Sequence, residues 1–261
     1  MSSALSLISL NIEGSKHLDL VLPFLRAREP DVVCLQELLS PDIPRFEQEL
    51  GTSCFYSEMM NLPAHHPLSG RQKPVMMGVG IFSRFPVTRS VRHYYHRGGH
   101  DAFLFDETST ATKHKTQSCV LAVVEMEKDK GRYRIGTTHG TWIPDGQPDD
   151  FQRADTKALL EVLEQEGEII LCGDFNMPRG LSGQSGEMFG LLAARYKDNI
   201  PARYETSIDV NLHRRGKEHA HELSERMVDG LFTTPAYEAS NVELVPGVSD
   251  HFAIVASVTT R

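Results

Sequence analysis

The feature that most constrains this chain is a recurrence of short apolar runs, most of them ending at a polar or charged side chain. Leu5-Ser-Leu-Ile-Ser-Leu-Asn11 alternates apolar and small polar residues, and Asp31-Val-Val-Cys-Leu-Gln-Glu37 is a short apolar run that closes on a carboxylate. Val79–Ser83, Ser118–Glu127, Tyr133–Thr138, Ile169–Asp174, Val228–Thr233, Ala239–Val245 and Ala253–Val258 continue the series. Runs this short, alternating or wholly apolar, predict strands rather than helices. Helical spacing is confined to a few segments. Ser15–Arg28 carries Leu18, Val21, Leu22 and Leu25 on one face, with a kink expected at Pro23 and a stop at Pro30. Asp42–Leu50 predicts a second helix, and Asp149–Glu166 an amphipathic one with Phe151, Ala154, Ala158, Leu159 and Val162 on its apolar side. Strands outnumber helices, and their connections mix hairpin-like with helix-containing ones, which predicts a mixed α/β sandwich rather than a pure parallel sheet.

No repeat, low-complexity tract or linker divides the sequence, so residues 1–261 read as one domain. Met59–Met77 and Met177–Asp198 read as irregular insertions and His213–Glu225 as a polar segment, the expected seats of substrate-facing loops. The amino-terminal residues lack a basic stretch followed by an apolar core, and the longest apolar runs, such as Cys119–Val124, are too short to span a bilayer. The four cysteines form no CxxC pair, and three lie in strand-like stretches. Buried free thiols in a reducing, cytoplasmic compartment are therefore expected, and a cysteine zinc site is not. A net charge of −8 argues against a protein that coats long nucleic acid through a broad basic face. It leaves room for a nucleic-acid enzyme, because clustered carboxylates can hold a divalent cation that offsets their charge.

The polar residues at the run ends carry the chemistry. They are Asn11, Glu37, His139 in Gly136-Thr-Thr-His139-Gly140, Asp174 and Asn176 in Gly173-Asp-Phe-Asn176, Asp229, and the Asp250-His251 pair before the last run. Taken singly, each has an ordinary explanation: turn residues for the asparagines, caps or turns for Asp174 and Asp250. Taken together, they gather acids, amides and imidazoles at neighbouring strand ends, a costly arrangement unless a metal and a substrate use it.

In this order, Asn11, Gln36-Glu37, Thr138-His139, Gly173-Asp-Phe-Asn176, Asp229 and Ser249-Asp-His251 resemble the endonuclease/exonuclease/phosphatase superfamily over essentially the whole chain. The resemblance implies a four-layer αββα sandwich of the DNase I type, with the site at one edge of two packed sheets. It implies Mg²⁺ or Mn²⁺ as cofactor, with Glu37 as principal ligand, Asn11 nearby serving either the metal or a phosphate oxygen, and Asp250 either beside the metal or helping to manage the leaving group. Asp174 would deprotonate the attacking water and Asn176 would hold that water or the phosphate. His251 would donate to a non-bridging oxygen, with Asp229 fixing its tautomer. His139 would bind a phosphate oxygen or protonate the leaving group; some abasic-site endonucleases of the superfamily have tyrosine at the matching position.

The implied function is hydrolysis of a nucleic-acid or nucleotide phosphodiester. A phosphomonoesterase or a lipid-headgroup hydrolase is the first alternative. A catalytically silent binding module on the same fold is the second, although such a module is expected to lack Glu37, Asp174 or His251, and this chain has all three. A basic, aromatic stretch of Arg89, Arg92, His93, Tyr94, Tyr95, His96, Arg97 and His100 reads either as a solvated strand or as a phosphate-backbone grip, with Arg92 and Arg97 as its substrate contacts. His93, His96 and His100 have helical spacing, but Gly98-Gly99 argues against a zinc-binding helix. Arg214-Arg-Gly-Lys217 reads as an exposed turn or a phosphate loop, and His65-His66 and His219-Ala-His221 have no evident partner. No protein partner is inferred.

Overall fold

The computed structural model describes residues 4–97, 104–143, 146–181 and 184–261. In chain order its elements are β1 (Leu5–Asn11), α1 (Leu18–Arg28), β2 (Val32–Leu39), α2 (Ile43–Leu50), β3 (Cys54–Leu62), β4 (Val75–Ser83), β5 (Val87–His96) and α3 (Thr110–Thr116). There follow β6 (Cys119–Lys128), β7 (Gly131–His139), α4 (Asp150–Glu166), β8 (Ile170–Asp174), β9 (Gly180–Leu181), β10 (Gln184–Ser185), α5 (Glu187–Ala193) and β11 (Lys197–Asp198). The last are α6 (Gly216–Leu223), β12 (Asp229–Thr233), β13 (Tyr237–Val245) and β14 (Ala253–Thr260).

Two six-stranded sheets carry the fold, one in the order β13-β14-β1-β2-β4-β3 and the other β11-β12-β8-β7-β6-β5. Each is parallel only at its centre, where β1 lies beside β2 and β7 beside β8. Between the sheets, Leu7, Val32, Cys34 and Ile81 meet Val120, Ala122, Ile170, Cys172 and Leu231 in one buried cluster. Outside the first sheet, Leu22 and Leu25 of α1 and Phe46 of α2 cover Ile8, Leu10, Leu35 and Phe82. Outside the second, Leu159 and Leu163 of α4 and Phe189 and Leu192 of α5 cover Leu121, Val123, Leu171 and Phe232. These are the four layers αββα. Both sheets are buried on two faces, so their central strands are nearly continuous in apolar residues rather than alternating.

Several local expectations are corrected. β2 does not end at Glu37 but runs to Leu39. Its pairing with β4 shifts between Leu35 and Leu38, and Glu37 takes a left-handed φ of 57° in that interval, which re-aims its side chain. β3 and β5 occupy the outer edges of the two sheets, where polar and aromatic residues mask the strand pattern. β3 takes up the start of the Met59–Met77 segment, and Met177–Asp198 carries β9, β10, α5 and β11 rather than irregular chain. The polar segment His213–Glu225 contains α6.

α1 begins at Leu18 and continues through Pro23. The inward face of α4 is rotated from the expected one. Phe151 and Ala154 are exposed, while Gln152, Asp155 and Thr156 are buried beside Leu159 and Leu163. Polar groups can face inward there because each is satisfied. Gln152 Nε2 donates to the carbonyls of Thr141 and Asn176 (2.8 and 2.9 Å), and Asp155 Oδ2 accepts from Thr141 Oγ1 (2.5 Å). His93 and His96 lie on β5, not on a helix, while His100 and Gly98-Gly99 fall outside the described residues. All four cysteines are free thiols. No helix among the described residues is long and apolar enough to cross a membrane.

Candidate active site

Register brings the site together. On the second sheet Asp174 of β8 stands opposite His139 of β7 on one side and Asp229 of β12 on the other. On the first sheet Asn11 of β1 is paired with Gln36 of β2, which sets Glu37 one residue beyond. Asn11 then links the sheets, its Nδ2 donating to Glu37 Oε1 (3.2 Å) and Asp174 Oδ2 (3.1 Å). Gln36 makes a second link deeper down, through Nε2 to Thr137 Oγ1 at 2.9 Å.

Close strand approach at this edge requires glycine. A Cβ on Gly173, whose φ is +140°, would lie 2.1 Å from the Thr138 carbonyl, and one on Gly140 would lie 2.2 Å from that of Phe175. Three of the non-glycine residues with left-handed backbone, Glu13, Glu37 and Asn176, also cluster here. Asn176 donates its backbone N–H to Asp174 Oδ1 (2.8 Å) and its side-chain Nδ2 to the Gly140 carbonyl (3.0 Å), so the turn after β8 fixes the Asp174 carboxylate.

His251 Nδ1 donates to Asp229 Oδ2 at 2.7 Å, and its Nε2 faces Asp174 Oδ2 at 3.9 Å. Burial works against charge on His251, but Asp229, Asp174 and Asp250 outweigh it and hold the imidazole well above its ordinary range, as a cation. His139 Nε2 lies 3.5 Å from Asp174 Oδ2 and 3.7 Å from Glu37 Oε1. Asp250 accepts from Ser249 Oγ at 3.2 Å. Burial, together with the charges of Glu13 and Glu37 and against the pull of His251, pushes its carboxyl up to about 8.

Glu37 Oε2 is buried with no hydrogen-bond partner among the described residues, and like charges crowd around Asp250. Ligand atoms of Glu13, His17 and Asp250 also lie within 4.8 Å of one another. Surplus carboxylate oxygens at the mouth of a crevice are what a hard divalent cation takes as ligands. The residues fit one.

Glu37, His139, Asp174, Asn176, Asp250 and His251 line a crevice of about 180 Å³, which Lys113, Trp142 and Arg214 also line. Asn11, Glu37, His139, Asp174, Asn176, Asp229, Asp250 and His251 are thus brought together. Arg92 and Arg97 are not among the residues lining the crevice. Arg92 lies on β5 at the far edge of the second sheet, where its guanidinium donates to the Tyr56 carbonyl (3.0 and 2.6 Å) and covers the Phe55 ring; Arg97 directly follows that strand. Sequence reasoning missed Glu13, whose only signal was its position two residues after Asn11, left His66 without a role, and passed over Lys113 and Trp142; these last three stand outside every apolar run.

A model of the endonuclease/exonuclease/phosphatase family matches residues 8–251. The chain belongs to that family. Members of the endonuclease/exonuclease/phosphatase family are phosphoric ester hydrolases. No curated protein is significantly similar to the chain in sequence. Among solved structures, an endonuclease/exonuclease/phosphatase from Beutenbergia cavernae aligns with 99% of this chain and 72% of its own, at 18% identity and a TM-score of 0.73. The human Nocturnin catalytic domain with bound sulfate aligns over 100% and 96% at 17% identity, with a TM-score of 0.65. A mannosyl-6-phosphatase of Bacteroides thetaiotaomicron aligns over 98% and 99% at 14% identity, with a TM-score of 0.65. At these identities the likeness establishes the family fold.

Proposed function

We propose that this chain is a cytoplasmic, Mg²⁺-dependent phosphodiesterase, active as one domain, that hydrolyses a nucleic-acid or nucleotide phosphodiester by attack of water. The observation that carries the reading is the meeting of a buried, cationic His251 with the Asp174 carboxylate and the unpartnered Glu37 oxygen in one crevice. A divalent cation held by Glu37, with Asn11 and Asp250 beside it, supplies positive charge to the phosphate oxygens when bound.

Asp174, oriented by Asn11 and by the Asn176 backbone, takes the proton of the attacking water. His251 Nε2 donates to a non-bridging oxygen as charge builds there, and Asp229 holds the ring in the orientation that makes this possible. His139, whose Nε2 faces Asp174 and Glu37, donates from that nitrogen to a phosphate oxygen or to the departing one. Arg92 and Arg97 would contact a long substrate only where it extends past the crevice. A second reading, hydrolysis of a phosphomonoester, is favoured by the likeness in fold to the mannosyl-6-phosphatase.

The test is a panel assayed with Mg²⁺ and with Mn²⁺: single- and double-stranded DNA, RNA, small mononucleotide esters and a chromogenic diester. Metal-dependent turnover of diesters supports the reading, turnover of monoesters alone supports the second, and full activity in excess chelator sinks both.

A further inference from the structure

We propose that Lys113, Arg214 and His66 form a second anion subsite, in the crevice that the carboxylates also line, that binds a phosphate of the substrate other than the one being hydrolysed. The inference rests on the phosphoesterase reading and adds the class of substrate: a phosphate ester carrying a second phosphate.

Some cations of the chain are neutralised by carboxylates: Arg26 meets Glu49, Arg89 meets Glu166, Lys128 meets Asp31, Arg153 meets Glu187 and Arg195 meets Glu164. Lys113 and Arg214 form no ion pair among the described residues, and both line the crevice.

Lys113 is half-buried, with Nζ 3.9 Å over the Trp142 ring. An aromatic face holds an ammonium in place without supplying a full counter-charge, so the group stays available to an anion. Burial lowers its pKa to about 8, with Glu37 and Glu107 pulling it up and Arg214 pushing it further down. It is still charged at neutral pH, and Arg214 is near enough for the two cations to repel. An anion between them removes that repulsion.

His66 supplies the independent observation. It is 6% exposed and lines the same crevice. Its Nδ1 accepts from the Leu68 N–H at 3.3 Å, so the ring proton sits on Nε2. That nitrogen has no hydrogen-bond partner, the nearest carboxylate oxygen, on Glu107, being 3.7 Å away. A buried N–H with nothing to donate to is costly, and an acceptor oxygen in the crevice satisfies it. Three donors lining one crevice match the several acceptor oxygens of a phosphate better than a neutral group.

The experiment uses Trp142, the chain's single tryptophan, as its own reporter. The whole protein with Mg²⁺ is titrated with adenosine 3′,5′-bisphosphate and, separately, with adenosine 5′-monophosphate, following tryptophan fluorescence. The expected result is about tenfold or tighter binding of the bisphosphate, the advantage of one added charged hydrogen-bonding group. Lys113→Met and Arg214→Gln should each erase most of it, and Lys113→Arg should keep it. Arg214 is exposed, so its variant tests the subsite even if Lys113→Met fails to fold. Equal affinities, absence of bisphosphate binding, or an advantage that survives both substitutions overturns the proposal. No turnover is read, so failure here is separate from failure of the phosphoesterase reading.

Discussion

The second sheet carries two clusters of acids, histidines and arginines, and they differ in what is left over. Along β5, Glu166 is gripped by Arg89 (2.8 and 2.9 Å) and His93 (2.6 Å), and Arg134 ties Glu125 at 2.8 Å. Opposite charges are matched there and each carboxylate has cationic partners. At the far end of β7, β8 and β12 the same residue types are mismatched. Like charges crowd Asp250, Glu37 keeps a bare buried oxygen, and His139 keeps an unpartnered nitrogen. Saturation marks structure, and surplus marks a site built for something from outside.

The most severe way to break this contrast is to remove the metal. A chelator should reduce turnover to background and leave the melting temperature nearly unchanged, with activity returning on Mg²⁺ or Mn²⁺. Glu37→Gln should raise the metal concentration required. Next comes His251→Ala, expected to lower kcat by about two to three orders of magnitude with little change in KM. Asp229→Asn should do less harm, and the double variant should be scarcely worse than His251→Ala alone. A His251→Ala enzyme with normal kcat and an unchanged melt would remove the imidazole from the chemistry.

The β5 cluster should behave in the opposite way. Glu166→Gln should cost about 1–2 kcal/mol in denaturant unfolding, since Arg89 is exposed enough to regain water, and leave kcat intact. Its pH signature follows from sign. Hydrogen bonds from Arg89, against burial and aided by His93, hold the Glu166 carboxyl down to about 2 from 4.5. Stability from a depressed acid is fully present above its unfolded-state pKa and is lost as pH falls from about 4.5 toward 2. The wild-type melting temperature should therefore drop more steeply across that window than that of Glu166→Gln, and parallel curves would contradict the assignment. The smallest effect is expected from Arg92→Gln: kcat/KM on a small diester within about twofold of wild type, as for an exposed polar contact. A larger loss would restore Arg92 to the substrate site.

What the sequence made legible follows from the same contrast. Asn11, His139 and Asp174 stand at ends of apolar runs, where a periodic signal stops on a polar residue, Asp229 opens one, and Asp250-His251 stands just before one. Glu37 was found for a slightly wrong reason, because the bulge that lets β2 continue past it leaves no mark in composition. Lys113, Trp142 and His66 converge through long-range packing of segments without periodicity, and nothing local announces that. The inward face of α4 was misjudged because satisfied polar groups can outrank Phe151 and Ala154 when the strand loops need hydrogen bonds. The edge strands β3 and β5 were obscured because one side of each lacks a neighbour to demand apolar residues.

The place of β1 between β14 and β2 has a consequence for synthesis. Its residues Leu5–Ser9 wait for Val258–Ile254 before their second edge is covered, so the intervening residues must emerge from the ribosome first. Until then the nascent protein carries an open, apolar strand edge, the kind that invites pairing with a neighbouring chain and calls for a chaperone. His251 lies just two residues ahead of β14. The step that closes that edge is therefore also the step that delivers the imidazole to the crevice.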